Sequence, residues 1–268
     1  MKIAFIGGGN MGEAMLSAIL DKRLSTPGGI SISDIDGSRR QSLEQKYGVS
    51  ATDDSLLAVD QTDIVILAIK PQNLADVMAS LNGNLKPHQL VMSIVAGARI
   101  ETLCQGLNHN NIVRCMPNTP AQIGAGMTVW TATTGITGEQ KDVVRSILGT
   151  MGKEIFVDDE KYLDMATAIS ASGPAYFFLF VESLVEAAIN IGLPRDSAEE
   201  LVLQTMLGAA YLIQQSGKSP AELRRMVTSP GGTTAEALDC FEKGEFSKLV
   251  LQAVNAAYNK ARELGDKK

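Results

Sequence analysis

Gly7-x-Gly9-x-x-Gly12 lies directly between the apolar run Ile3-Ala4-Phe5-Ile6 and a helical pattern through Ala14, Met15, Ala18 and Ile19, and it constrains the chain more than any other feature. A strand that passes through a glycine turn into a helix is the opening unit of a doubly wound α/β sheet. The first glycine permits the tight turn, the second lets a ligand approach the backbone, and the third lets helix pack on strand. Free N–H groups and partial positive charge at the helix N-terminus suit a pyrophosphate. In isolation the pattern also describes an ordinary glycine-rich turn. Its place after the first strand favours a dinucleotide over S-adenosylmethionine or a bare nucleotide.

Short apolar runs alternate with helical patterns through the first half: Ile3–Ile6, Ile30–Ser33, Ile64–Ile69, Leu90–Ile94 and Ile112–Cys115, with Met127–Ala132 and Glu154–Val157 as later strands. Continuous Val/Ile/Leu strands are those covered on both faces, so residues 1–159 read as a Rossmann-type, mainly parallel sheet. From residue 160 to 268 the β-branched runs give way to helices. Pro174 opens one that Gly192-Leu193-Pro194 ends, Asp196 with Glu199 has the spacing of a capping box, and Phe246, Leu249, Val250, Ala253, Ala257 and Ala261 recur at helical spacing.

The helix from Pro174 carries Tyr176, Phe177, Phe178, Leu179, Phe180 and Val181, which point in every direction around its axis. Either a partner subunit covers it or it is a central helix ringed by its own neighbours. Composition excludes other classes. Twenty-four basic against thirty acidic residues, a net charge of −6 without any Lys/Arg block, gives a nucleic acid nothing to grip. Cys104, Cys115 and Cys240 are odd in number, widely spaced and without His companions, which argues against a disulfide framework or a zinc site and for the reducing cytosol. The N-terminus enters a strand at once, unlike a signal peptide, and Glu182 and Glu186 interrupt the longest apolar stretch, so no membrane span is expected.

The candidate cofactor site comprises Gly7, Gly9, Asn10, Met11 and Gly12, with Asp34 at the end of the second strand, where a carboxylate accepts hydrogen bonds from ribose hydroxyls. Asp34 favours NADH, whereas Arg39 and Arg40 are placed to grasp the 2′-phosphate of NADPH or to stand solvated at a helix start, so both cofactors stay open. Ala68-Ile69-Lys70-Pro71 and Val95-Ala96-Gly97 follow strands at their carboxyl ends, where their backbone lines a ligand. Lys70 reads as a surface charge more readily than as a catalytic lysine. His88 and His109 fall in polar segments and receive no role, and Trp130 reads as core.

A second constellation, Ser229-Pro230-Gly231-Gly232-Thr233-Thr234, places hydroxyls and backbone donors where a helix begins, which suits a small carboxylate; alone, it would also serve as a plain helix cap. Asn118, between Pro117 and Pro120, fits an Asx turn.

Met116-Pro117-Asn118-Thr119-Pro120, Ala171-Ser172-Gly173-Pro174-Ala175-Tyr176 and Ser229 to Thr234, in this order behind the glycine loop, make nearly the whole chain resemble pyrroline-5-carboxylate reductase. The resemblance implies a Rossmann domain followed by an all-helical dimerisation domain, subunits that interleave and share active sites, and dimers that often build larger rings. It implies NADPH or NADH as hydride donor and 1-pyrroline-5-carboxylate as substrate. Ser229, Gly231, Gly232, Thr233 and Thr234 would hold that substrate, with Thr234 at the ring nitrogen as the catalytic hydroxyl, and Asn118 would shape the nicotinamide pocket. Two positions depart from relatives: Asp34 stands where some have a hydroxyl for the 2′-phosphate, and Thr233 replaces an alanine. The rival readings are another imine or 3-hydroxyacid oxidoreductase of the same plan, although no lysine of the helical half has the motif a hydroxyacid dehydrogenase needs, and a dinucleotide-responsive binding protein without turnover.

Overall fold

The computed structural model describes residues 1–266. Eight strands, β1 (Ile3–Ile6), β2 (Ile30–Ser33), β3 (Ser50–Thr52), β4 (Ile64–Leu67), β5 (Leu90–Ser93), β6 (Ile112–Met116), β7 (Gly126–Ala132) and β8 (Gly152–Phe156), form one sheet in the order β3-β2-β1-β4-β5-β6-β7-β8. Neighbours are parallel except β6 and β7, which run antiparallel. The first six strands have the doubly wound order that reverses between β1 and β4, where such sheets bind ligands at their carboxyl ends.

The two faces follow from the period of two along each strand. Ile3 and Phe5 of β1 join one core with Met15, Leu16 and Ile19 of α1 (Asn10–Asp21), Leu43 of α2 (Gly37–Tyr47), and Val144, Ile147 and Leu148 of α6 (Gly138–Gly149). Ala4 and Ile6 join the opposite core, with Ala58 and Val59 of α3 (Ser55–Val59), Leu74 and Leu81 of α4 (Leu74–Leu81), and Leu103 and Leu107 of α5 (Ile100–Leu107). Burying side chains of this size contributes about 1.5–3 kcal/mol each, which makes the sheet the rigid platform of the site. Trp130 is fully buried, as its sequence context suggested. His109, expected in a polar loop, is also buried: Nε2 lies 2.7 Å from the Gln89 carbonyl, a structural bond across neighbouring segments.

After β8 come α7 (Lys161–Ala166), a π-helical turn at Thr167–Ala171, α8 (Gly173–Asn190), α9 (Arg195–Ser216), α10 (Pro220–Met226), α11 (Thr233–Lys243) and α12 (Phe246–Asp266). The chain divides into two compact units, Met1–Ser172 with the last turns from Ala257, and Gly173–Ala256. In the first unit Arg114 of β6, almost wholly buried, pairs with Glu160 (2.7 Å) and Asp164 (3.2 Å). Arg99 bonds Asp266 (2.9 Å) and the Gly265 carbonyl (3.1 Å) at the end of α12.

In the second unit Gly192 ends α8 at φ +105°, and α9 packs back against α8. The capping box expected at Asp196 and Glu199 does not form. Pro194 takes the cap position with no side-chain cap, Arg195 is already helical, and its guanidinium bridges Glu186 (3.1 Å) and Glu199 (3.5 Å). Capping boxes form instead at Thr137 with Gln140 and at Ser219 with Glu222. Phe246 at the start of α12 packs on Phe241 and Phe180, with ring centroids 5.5 and 6.4 Å apart. Most of the α8 aromatic stripe is uncovered: Phe177, Phe178 and Leu179 are each about 60% exposed.

Candidate active site

The glycine loop has the geometry that its three positions require. Gly7 sits at φ +97°, a conformation that L side chains rarely adopt, and a Cβ there would lie 2.5 Å from the Ala68 carbonyl oxygen. A Cβ on Gly12 would approach the Gly7 carbonyl oxygen to 2.7 Å, so α1 packs on the loop only with glycine at that point. A Cβ on Gly9, by contrast, would meet no atom within 4 Å. Gly9 caps α1 without any side-chain hydrogen bond, so the first N–H groups, those of Asn10, Met11 and Gly12, start a helix that no side chain closes. An open, positively polarised helix end behind a bare glycine fits the pyrophosphate of a dinucleotide.

The end of β2 leads into Asp34, the candidate ribose acceptor. Asp34 Oδ2 accepts from Gly8 N–H at 2.7 Å and Oδ1 accepts from Asp36 N–H at 2.9 Å, which holds the carboxylate beside the loop. Arg39 Nε donates to the Gly8 carbonyl, and its Nη2 donates to Glu13. Arg40 donates to the Asp34 carbonyl at 2.7 Å and lies 3.6 Å from Asp53. The sequence points to Asp34 and Arg39 but assigns nothing to Glu13, whose carboxylate also accepts from Lys46 Nζ and Tyr47 Oη, both at 2.8 Å. Burial alone would raise the Glu13 pKa, but these hydrogen bonds outweigh it and lower the value to about 2.

Beyond β4, Ala68 and Ile69 are partly buried and Lys70 is exposed ahead of the short 3₁₀ turn Pro71–Asn73. Beyond β5, Val95 is buried and Ala96 partly so, while Gly97 at φ +75° brings its turn against the Leu264 backbone. Asn118 is committed to the protein itself. Its Nδ2 donates to the Ser170 carbonyl in the π-helical turn at 2.9 Å, and its Oδ1 accepts from Met127 N–H at 2.8 Å. The amide fastens the Pro117–Pro120 turn, so it acts on this region through shape.

In the second unit, Gly231 at φ +69° turns the chain into α11, and Gly232 caps the helix in extended backbone with no side-chain hydrogen bond. Ser229 therefore does not serve as a plain helix cap. Gly232 N–H donates to the Ser229 carbonyl at 3.1 Å, and a Cβ on Gly232 would lie 2.5 Å from Ser229 Oγ. The absent side chain leaves the Ser229 hydroxyl its place over the turn. Thr233 is exposed and Thr234 partly buried in the first turn of α11, whose leading N–H groups have no intrahelical partner. That end can bind one carboxylate by hydrogen bonds and dipole without a buried countercharge.

A doubly wound sheet with an open glycine loop, joined to a helical unit with an uncapped serine-glycine-threonine turn, defines a two-part dinucleotide-dependent oxidoreductase. Residues 160–264 match the family model described as pyrroline-5-carboxylate reductase dimerisation, and residues 2–97 match that described as NADP oxidoreductase, coenzyme F420-dependent. The chain is 38% identical to a pyrroline-5-carboxylate reductase of Synechocystis, over 100% of this chain and 99% of the relative, and 38% identical to that of Pseudomonas aeruginosa, over 99% and 97%. Among solved structures, a pyrroline-5-carboxylate reductase from Coxiella burnetii superposes with a TM-score of 0.90 at 36% identity, covering 99% of both chains. The Plasmodium falciparum enzyme with NADP bound superposes with a TM-score of 0.90 at 30% identity, covering 99% of this chain and 98% of that one. The chain belongs to the pyrroline-5-carboxylate reductase family. Its helical half carries the dimerisation domain, and the exposed aromatic stripe of α8 lies within it.

Proposed function

We propose that the enzyme reduces 1-pyrroline-5-carboxylate to L-proline with NADPH or NADH. The observation that carries this reading is the pair of helix ends left open in one chain, α1 behind Gly9 and α11 behind Gly232. One suits a pyrophosphate and the other a monocarboxylate. The bound dinucleotide supplies a hydride to the ring imine carbon, and the ring nitrogen, protonated in the reactive imine, becomes the amine of proline.

The protein's contribution is placement. Gly7, Gly9, Asn10, Met11 and Gly12 hold the pyrophosphate, Asp34 receives the ribose hydroxyls, and the strand ends at Ala68–Pro71 and Val95–Ala96 line the cofactor. Backbone N–H groups at Gly231 and Gly232, with the Ser229 and Thr233 hydroxyls, hold the carboxylate. Thr234 hydrogen-bonds the ring nitrogen and orients the imine; its hydroxyl is too weak an acid to keep a proton ready near neutrality. No His, Cys or Lys lies in the turn, and an electrophilic protonated imine needs none.

A deuteride experiment tests the reaction: C4-deuterated NADH of the correct face should leave a single deuterium at C5 of proline. Proline without label would remove direct hydride transfer.

The working unit is a homodimer in the cytosol, and a larger ring of dimers is the assembly that family members often reach. Lys161–Asn190 is long and apolar enough to cross a bilayer, but the dimerisation model spans it, which supports a second subunit rather than lipid as its cover.

A further inference from the structure

Gly8 is held through both of its backbone polar groups: Asp34 accepts its N–H at 2.7 Å and Arg39 donates to its carbonyl. The rest of the Arg39 guanidinium is paired with Glu13, which sits one residue beyond the last glycine of the loop and also holds Lys46 and Tyr47. Arg40 is turned to the Asp34 carbonyl and towards Asp53. A 2′-phosphate at the end of β2 would thus face the Asp34 carboxylate, while the nearby cations Arg39, Arg40 and Lys46 each already answer a carboxylate. A hydroxyl in that position finds an acceptor, whereas a dianion finds a like charge.

We propose that this chain prefers NADH to NADPH, and that Glu13, which does not itself touch the cofactor, is the positioning residue that withholds Arg39 from a 2′-phosphate. The inference rests on the dinucleotide-dependent reading above and narrows it. Glu13 is suited to the task because it stays ionised throughout the physiological range, its pKa being lowered to about 2. Its link to Arg39 spans 26 residues and ties α1 to α2, so the arginine is fixed by tertiary structure and not by its own helix.

The test is direct binding of each dinucleotide to the full-length protein, without substrate, read by fluorescence titration. The parent should bind NADH about tenfold or more tightly than NADPH, the scale of one like-charge repulsion in a partly screened site. Glu13→Gln should shift the ratio about fivefold or more towards NADPH by freeing Arg39, and adding Arg39→Gln should abolish that shift. A merely structural Glu13 would weaken both ligands alike and leave the ratio unmoved, which overturns the proposal. Arg39→Gln alone covers the case in which Glu13→Gln does not fold: it should leave the ratio unchanged, and a selective loss of NADPH binding would show the arginine already at the phosphate and overturn the proposal. Parent protein that binds NADPH as tightly as NADH also overturns it. Folded parent that binds neither overturns the inference and the cofactor reading together, whereas binding with the expected ratio but no proline formation sinks the substrate reading alone.

Discussion

The carboxylate of Asp34 accepts the backbone N–H of Gly8 at 2.7 Å, so the group that ends β2 also shapes the loop that ends β1. On the proposed reading the aspartate therefore shapes the pyrophosphate cradle as well as accepting from the ribose. Asp34→Ala should weaken NADH by about five- to tenfold through the loosened loop and the lost acceptor, about 1 to 1.5 kcal/mol for a charge-assisted hydrogen bond, and should weaken NADPH less, because the like charge facing its 2′-phosphate goes with the carboxylate. Titration calorimetry checks this; an NADH affinity within a factor of two of the parent's would detach Asp34 from the loop.

Thr234 lies in the first turn of α11, behind a cap made of backbone alone. Thr234→Ala should reduce kcat by about tenfold to a hundredfold, the scale of one missing orienting hydrogen bond in the reacting complex, with dinucleotide affinity unchanged. Thr234→Ser should recover much of the rate. Steady-state rates equal to the parent's would remove Thr234 from the chemistry.

Arg114 is a cation inside the first unit, held by Glu160 at 2.7 Å and Asp164 at 3.2 Å, with Asp164 almost as buried as the arginine. Arg114→Met should cost about 3 kcal/mol, because it leaves the buried Asp164 carboxylate with only the more distant Arg99, at 3.4 Å, as its cation. The denaturation midpoint in urea reports this, and a midpoint unchanged from the parent would contradict the assignment.

Glu13 gives the sign of an acid dependence. Its ordinary pKa of 4.5 is lowered to about 2 in the folded chain, so its contribution is complete above pH 4.5 and is lost as the pH falls from there towards 2. The parent should be more stable than Glu13→Gln at neutral pH, and the two should converge across that acid window. A stability difference that stays constant from pH 5 to 2.5 would mean the carboxylate is not held by Lys46, Arg39 and Tyr47.

What is legible in the sequence is local. The glycine loop, the long β-branched strands and the all-round apolar helix at Pro174 declare themselves because neighbours in sequence define them. The strand Ser50–Thr52 does not, since three residues without an apolar run carry no period. Asp196 and Glu199 have the spacing of a capping box, but Pro194 presets the cap position and Arg195 engages the glutamate. His109 is buried through a hydrogen bond to a residue 20 positions away. The part Glu13 plays is hidden for the same reason: its partners Arg39, Lys46 and Tyr47 lie 26, 33 and 34 residues further along. In the turn from Ser229 to Thr234, the sequence names the hydroxyls and glycines but does not tell a capping serine from one left available; Gly232 in the cap position, with no side chain closing α11, decides that.

The most direct test follows NADH and NADPH absorbance in parallel with 1-pyrroline-5-carboxylate and identifies the product. Proline should form one for one with dinucleotide oxidised, and faster with NADH. Folded protein that binds a dinucleotide yet consumes neither with this imine would mean that the enzyme is not a pyrroline-5-carboxylate reductase in activity.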